Sequence, residues 1–112
     1  MKFSEYIQYD GLGLAKLVKD KEVHPSELLQ VALEHTHKAN PKLNAIIIPM
    51  YEQAKQRAQQ PLTGTFAGVP FLVKDLFQEY QGVPTSYGSN ALKRINYTPD
   101  FNAEIINRCE KT

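Results

Sequence analysis

The chain has 112 residues, 42% of them hydrophobic, and its 13 basic and 12 acidic residues leave a formal net charge of +1. This length suits one small domain, and the scattered basic residues give no electrostatic reason to expect binding to nucleic acid or a membrane surface. Because the only cysteine is Cys109 and no apolar run approaches a membrane span, we expect a soluble cytoplasmic protein without an internal disulfide.

The first forty residues predict two helices. Asp10 can cap the first helix, which carries an apolar stripe at spacings of three and four residues. In the second helix Pro25 fits the first position and Glu27 the third, which leaves His24 as the N-cap. We expect Asn40-Pro41 to end this helix, because the residue before a proline avoids helical geometry.

Two short apolar runs predict buried strands. Residues 45–48 are rich in isoleucine and end at Pro49, whereas residues 71–73 lead directly into Lys74. Because successive residues in both runs are apolar, each strand is expected to be covered on both faces. A solvent-facing helix from about residue 51 to 59 is predicted between them.

Beyond the second predicted strand the sequence becomes small and polar. Residues 82–90 indicate a long loop, and loops that follow buried strands are where α/β proteins place functional groups. A short helix is predicted from Ala91 to Arg94. Asp100 can cap a last helix, which carries Ile105 and Ile106.

These elements predict an α/β fold that is incomplete. Strands covered on both faces need more neighbours than two strands and about four helices provide. We therefore expect residues 1–112 to be part of one larger domain, without a separate second domain. The alternative is a small α+β domain in which helices cover a two-stranded sheet.

Several segments resemble a known family in their order and spacing. They are Pro25 to Leu29, Asn40 to Ala45, Leu62 to Gly64, Gly68 to Asp75, and the later residues Gly82, Thr85, Gly88 and Ser89. Together they resemble the N-terminal portion of the amidase signature family of Ser–Ser–Lys hydrolases. The resemblance implies the N-terminal fragment of a mixed sheet flanked by helices.

The resemblance also implies a mechanism. In this family a serine attacks the amide carbonyl to form an acyl-enzyme, and a second serine on a cis peptide bond relays its proton to a lysine base. Lys74 matches that lysine, and burial in an apolar strand would disfavour the charged ammonium. The simpler interpretation is a surface or salt-bridged lysine, with Asp75 as one candidate partner.

The resemblance leaves the triad incomplete in this chain. The matched region contains no Gly-Gly pair or Gly-Ser-Ser run, and the nucleophilic and relay serines are not matched. We therefore expect the isolated chain to be inactive. The alternatives are a non-catalytic remnant, or a subunit that associates with another chain through its sheet edge, and the fragment could also associate with itself.

Four residues are candidates for supporting roles near Lys74. They are Asp75, Thr85, Gly88 and Ser89. Ser86 and Ser89 are also candidate nucleophiles, but neither lies in a Gly-x-Ser-x-Gly elbow, and hydroxyls that stabilise a turn are the commoner case.

No cofactor or metal is expected. His35 and His37 are two residues apart on a helix, so they do not share a face, and no third ligand is apparent. The expected partner of the complete enzyme is a small-molecule amide. Amino-acid amides, aryl amides, linear or cyclic oligoamides and glutaminyl-tRNA all remain open as substrates.

Overall fold

The computed structural model describes residues 1–111, which form six α-helices and contain no strand. The helices are α1 (Phe3–Tyr6), α2 (Gly11–Lys19), α3 (Pro25–Leu43), α4 (Tyr51–Arg57), α5 (Asn90–Arg94) and α6 (Glu104–Cys109). The chain divides into two compact units, the first covering Met1–Pro70 and the second beginning at Phe71. None of the helices in the described part combines the length and apolar character needed to cross a bilayer.

The predicted α/β fold with a mixed sheet is wrong for the part of the chain that the structure describes. Residues 45–48 and 71–73, both expected to be strands, are irregular. A strand is stable only when its backbone groups pair with a neighbouring strand. Residues 71–73 join no backbone hydrogen bond within residues 1–111, and the backbone of Ile46 bonds to the side chain of Asn40 instead.

The beginning of α2 confirms its predicted cap. The Asp10 side chain accepts a hydrogen bond from the backbone N–H of Gly13 at 2.7 Å. This bond satisfies one of the N–H groups that the first turn leaves without an intrahelical partner. The helix then buries Leu14 and Ala15.

The beginning of α3 also follows the prediction. The ring of His24 accepts from the N–H of Ser26 at 3.2 Å, and the Glu27 carboxylate accepts from the N–H of His24 at 3.1 Å. Pro25 occupies the first turn, where its missing N–H costs nothing. The helix buries Leu28 completely.

The end of α3 differs from the prediction, because the helix continues through Pro41 to Leu43. Its last turn is stabilised by Asn40, whose backbone carbonyl accepts from the N–H of Asn44 at 2.7 Å. The Asn40 side chain also donates to the carbonyl of Ile46 at 2.9 Å and accepts from its N–H at 2.8 Å. These three bonds offset the N–H that proline lacks, and Asn44 ends the helix in the left-handed conformation at φ 48°.

Aromatic contacts bring other segments of the first unit onto α3. The ring of Phe3, in the unpredicted helix α1, stacks on His35 with centroids 3.9 Å apart. The rings of His37 and Tyr51 meet edge to face at 5.6 Å. Both histidines therefore have packing roles in this unit.

Gly68 lies where the first unit allows no side chain. Its φ is +83°, and a Cβ at this position would lie 2.9 Å from Cγ of Pro25 and 3.1 Å from Cγ1 of Val18. Glycine accepts both the left-handed backbone and the close approach. The backbone at Gly68 therefore lies directly against Pro25 at the beginning of α3.

In the second unit, α6 begins later than predicted. Asp100 does not cap it, since the N-cap is Ala103. The N–H of Ala103 donates to the carbonyl of Glu79 at 2.8 Å, and the side chain of Asn102 accepts from the N–H of Gln81 at 2.7 Å. These bonds hold residues 102–103 against residues 79–81, so the helix can begin only after them.

Candidate functional site

Lys74 lies in an irregular segment at the beginning of the second unit, and its side chain is exposed. The buried strand setting predicted for it is therefore absent among the described residues. Its backbone N–H donates to Oε1 of Gln78 at 2.8 Å, which fixes the peptide group at this position.

The neighbouring carboxylate of Asp75 is fully engaged. The N–H of Ser86 donates to Oδ1 at 2.8 Å, the Ser86 hydroxyl donates to Oδ2 at 2.5 Å, and the Thr85 hydroxyl donates to Oδ1. We call this group of Asp75, Thr85 and Ser86 the Asp75 clamp. Lys74 is exposed, as the simpler interpretation expects of a surface lysine, but it forms no ion pair with Asp75 within residues 1–111.

The clamp changes the acidity of its carboxyl group. Burial raises the pKa of Asp75, but the hydrogen bonds from the hydroxyls of Ser86 and Thr85 and from the Ser86 N–H outweigh it, so the pKa lies below the ordinary value. Thr85 is itself buried, with 9% of its surface exposed. The carboxylate is therefore held in its charged form.

A tight turn follows the clamp. The carbonyl of Ser86 accepts from the N–H of Ser89 at 2.7 Å, while Tyr87 and Gly88 have φ values of 50° and 71°. Two positive φ values at the central positions are typical of a type I′ turn. The Ser89 hydroxyl then accepts from the N–H of Leu92 at 3.5 Å and caps α5.

The structure thus brings together two of the predicted supporting residues, Asp75 and Thr85, and gives the other two conformational roles. Gly88 forms the turn and Ser89 begins α5. The hydroxyls of Ser86 and Ser89, both candidate nucleophiles by sequence, have the bonding partners of structural hydroxyls.

Sequence reasoning did not identify Ser86 and Gln78 as partners of the segment that carries Lys74. A second pair also went unnoticed: the Tyr87 hydroxyl donates to the Glu79 carboxylate, and the Tyr87 ring lies 5.7 Å from that of Phe77. The one available signal was composition, since hydroxyl residues in a turn often bind a nearby carboxylate.

Other features of the chain do not add to this site. Over residues 1–111, no three histidine, cysteine or carboxylate side chains form a group that could hold a metal ion. A shallow cavity of about 120 Å³ lies in the first unit and contains none of the predicted site residues. It is lined by Ser26, Leu29, Gln30, Leu33, Lys55 and Gln59.

Comparison with known proteins connects this segment to a family of hydrolytic enzymes. The sequence profile of the Amidase family matches residues 27–112. The 6-aminohexanoate-cyclic-dimer hydrolase of Pseudomonas sp. (strain NK87) is 36% identical over 99 residues, which cover 88% of this chain and 20% of that protein. The lipoamidase of Enterococcus faecalis is 38% identical over 92 residues, which cover 80% of this chain and 13% of the lipoamidase.

A solved structure of 6-aminohexanoate cyclic dimer hydrolase matches in fold as well. Its TM-score is 0.87 at 34% identity, over 93% of this chain and 21% of the other. The chain thus spans about a fifth of the length of the Pseudomonas hydrolase and of the solved cyclic dimer hydrolase. Since the family profile covers most of the sequence and includes Lys74 and the Asp75 clamp, the chain belongs to the amidase family.

Proposed function

We propose that this chain is the N-terminal segment of an enzyme that hydrolyses carboxamide C–N bonds, and that Lys74 is the general base of its Ser–cisSer–Lys triad. The family match across residues 27–112 is the observation that carries the proposal. The motif from Gly68 to Asp75 supports the choice of Lys74.

The proposed reaction proceeds through an acyl-enzyme. The nucleophilic serine attacks the carbonyl carbon, and its proton passes through the relay serine to the neutral amine of Lys74. The C–N bond breaks as the leaving amine receives that proton. Water then attacks the acyl-enzyme, giving up a proton by the same route, and releases the carboxylic acid and the serine.

Neither serine is matched in this chain, so we propose that the isolated chain does not turn over amides. Lys74 is exposed here, and so are Phe71 and Leu72, with 59% and 72% of their surfaces accessible. Apolar side chains left this open support a role as one part of a larger domain. In that domain the remaining chain would cover the segment that carries Lys74.

The substrate is proposed only as a carboxamide. The relatives include enzymes named for a cyclic dimer of 6-aminohexanoate and for lipoamide, so both are reasonable first compounds to test. A cytoplasmic location is part of the same proposal, and a chain with one cysteine is compatible with a reducing compartment.

The experiment is a chimera in which this chain replaces the matching segment of the Pseudomonas hydrolase. Turnover of the 6-aminohexanoate cyclic dimer is compared with that of Lys74→Ala and of a control, Lys93→Ala, at an exposed lysine in α5. We expect only Lys74→Ala to abolish turnover. Persistence of activity in that variant, or amide turnover by the isolated chain that Lys74→Ala removes, would contradict the proposal.

Association with another chain is a second candidate function. The observation that favours it is the exposure of three apolar side chains near Lys74 in the sequence, Phe71, Leu72 and Phe77, whose accessible fractions are 59%, 72% and 74%. Exposed apolar side chains that form one surface often mark a site that another polypeptide covers. The test is the oligomeric state of the isolated chain by light scattering, and a monomer over a wide concentration range would count against it.

A further inference from the structure

We infer that Asp75 is a positioning residue for Lys74, acting through its hydrogen bonds to Thr85 and Ser86. The inference rests on the proposed role of Lys74 as the general base. It adds the residues that hold this base in place.

The geometry of the clamp restricts rotation of the Asp75 carboxylate. Ser86 binds both oxygens, with its N–H on Oδ1 and its hydroxyl on Oδ2, so the carboxylate cannot rotate without breaking one of these bonds. Thr85 adds a third donor on Oδ1 from a buried position. Hydrogen bonds to a charged acceptor are the stronger class.

The clamp acts on the backbone that carries Lys74. Residues 71–73 join no backbone hydrogen bond among the described residues, so no strand pairing holds the backbone just before Lys74. Gln78 then holds the N–H of Lys74 and the clamp holds the next residue, Asp75. A general base must keep its place to within a fraction of an ångström, which such two-sided support provides.

The clamp also affects charge. A carboxylate adjacent to a lysine would ordinarily attract the lysine side chain as its counter-ion. Three donors from Thr85 and Ser86 instead satisfy the carboxylate of Asp75. Lys74 is thus not needed as its counter-ion.

The matched pair Thr85→Val and Thr85→Ser tests the inference in the chimera described above. Valine keeps the shape of threonine but lacks the hydroxyl donor, whereas serine keeps the donor and loses a methyl group. We expect Thr85→Val to lower kcat about tenfold with KM within about twofold, because the base is displaced while substrate contacts persist. Thr85→Ser should recover most of kcat.

Active-site titration separates this effect from loss of folded protein, because a purely structural role would reduce the number of active sites and leave kcat per site unchanged. Unchanged kcat per site in Thr85→Val, with Lys74→Ala inactive, overturns the inference and leaves the proposed function standing. Activity in Lys74→Ala overturns both.

Amide hydrogen exchange on the 112-residue chain gives an independent readout. Loss of the Thr85 hydroxyl should speed exchange about tenfold at Ser86 and also at Lys74, if the clamp holds the lysine backbone. Faster exchange at Ser86 alone would show that the clamp does not reach Lys74, and would overturn the inference even if the chimera were inactive.

Discussion

Replacement of Gly68 by alanine should destabilise the first unit strongly. The left-handed backbone at φ +83° costs an L-residue about 1–2 kcal/mol. The added methyl group would also lie 2.9 Å from Cγ of Pro25 and 3.1 Å from Cγ1 of Val18. Overpacking of this kind costs about 1–3 kcal/mol, so we expect a total of about 2–5 kcal/mol.

Gly82→Ala is the matched control, because Gly82 has φ +76° but nothing within 4 Å of the position that the added methyl group would occupy. It should therefore carry only the backbone cost of about 1–2 kcal/mol. Urea unfolding, followed by hydrogen exchange of individual peptides, measures each unit separately. Equal destabilisation by the two substitutions would show that the contact with Pro25 is not what makes Gly68 necessary.

Three further predictions concern stability and association. The folded-state pKa of Asp75 is lowered, so its carboxylate should stabilise the second unit at pH values above the ordinary aspartate pKa of about 3.9. This contribution should disappear as the pH falls through the lowered pKa. Asp75→Asn should flatten that acid limb in urea unfolding, and an unchanged limb would contradict the assignment. Leu28→Ala, at a side chain with no exposed surface, should cost about 2–5 kcal/mol, whereas Leu43→Ala, 69% exposed, should cost less than about 0.5 kcal/mol by the same assay. Leu72→Lys should weaken binding of a hydrophobic dye and any self-association seen by light scattering, and no change in either would argue against an apolar association surface.

The beginnings of α2 and α3 were predicted well because their signals are local. Asp10, His24 and Pro25 act within three residues of the turns that they begin, so the sequence contains the whole interaction. The end of α3 was missed because Asn40 supports the turn containing Pro41 through bonds to Asn44 and Ile46. A proline ends a helix only when nothing nearby offsets its missing N–H.

The prediction of two strands was wrong for the opposite reason, because a strand depends on pairing partners outside its own sequence. Residues 45–48 and 71–73 have strand composition, yet no neighbour pairs with them within residues 1–111. The contacts of the Asp75 clamp were not predicted. Asp75 and Thr85 were both selected, but their contact spans ten residues and depends on a chain reversal that no short pattern encodes.

The type I′ turn at residues 86–89 has a consequence for tolerated changes in length. Surface loops usually accept insertions, but here Ser86 ends the carboxylate contact and Ser89 begins α5, with only two residues between them. One added residue would change the direction in which α5 leaves the turn or pull Ser86 from Asp75. Functional relatives should therefore vary in side chain at residues 87 and 88 while keeping their number.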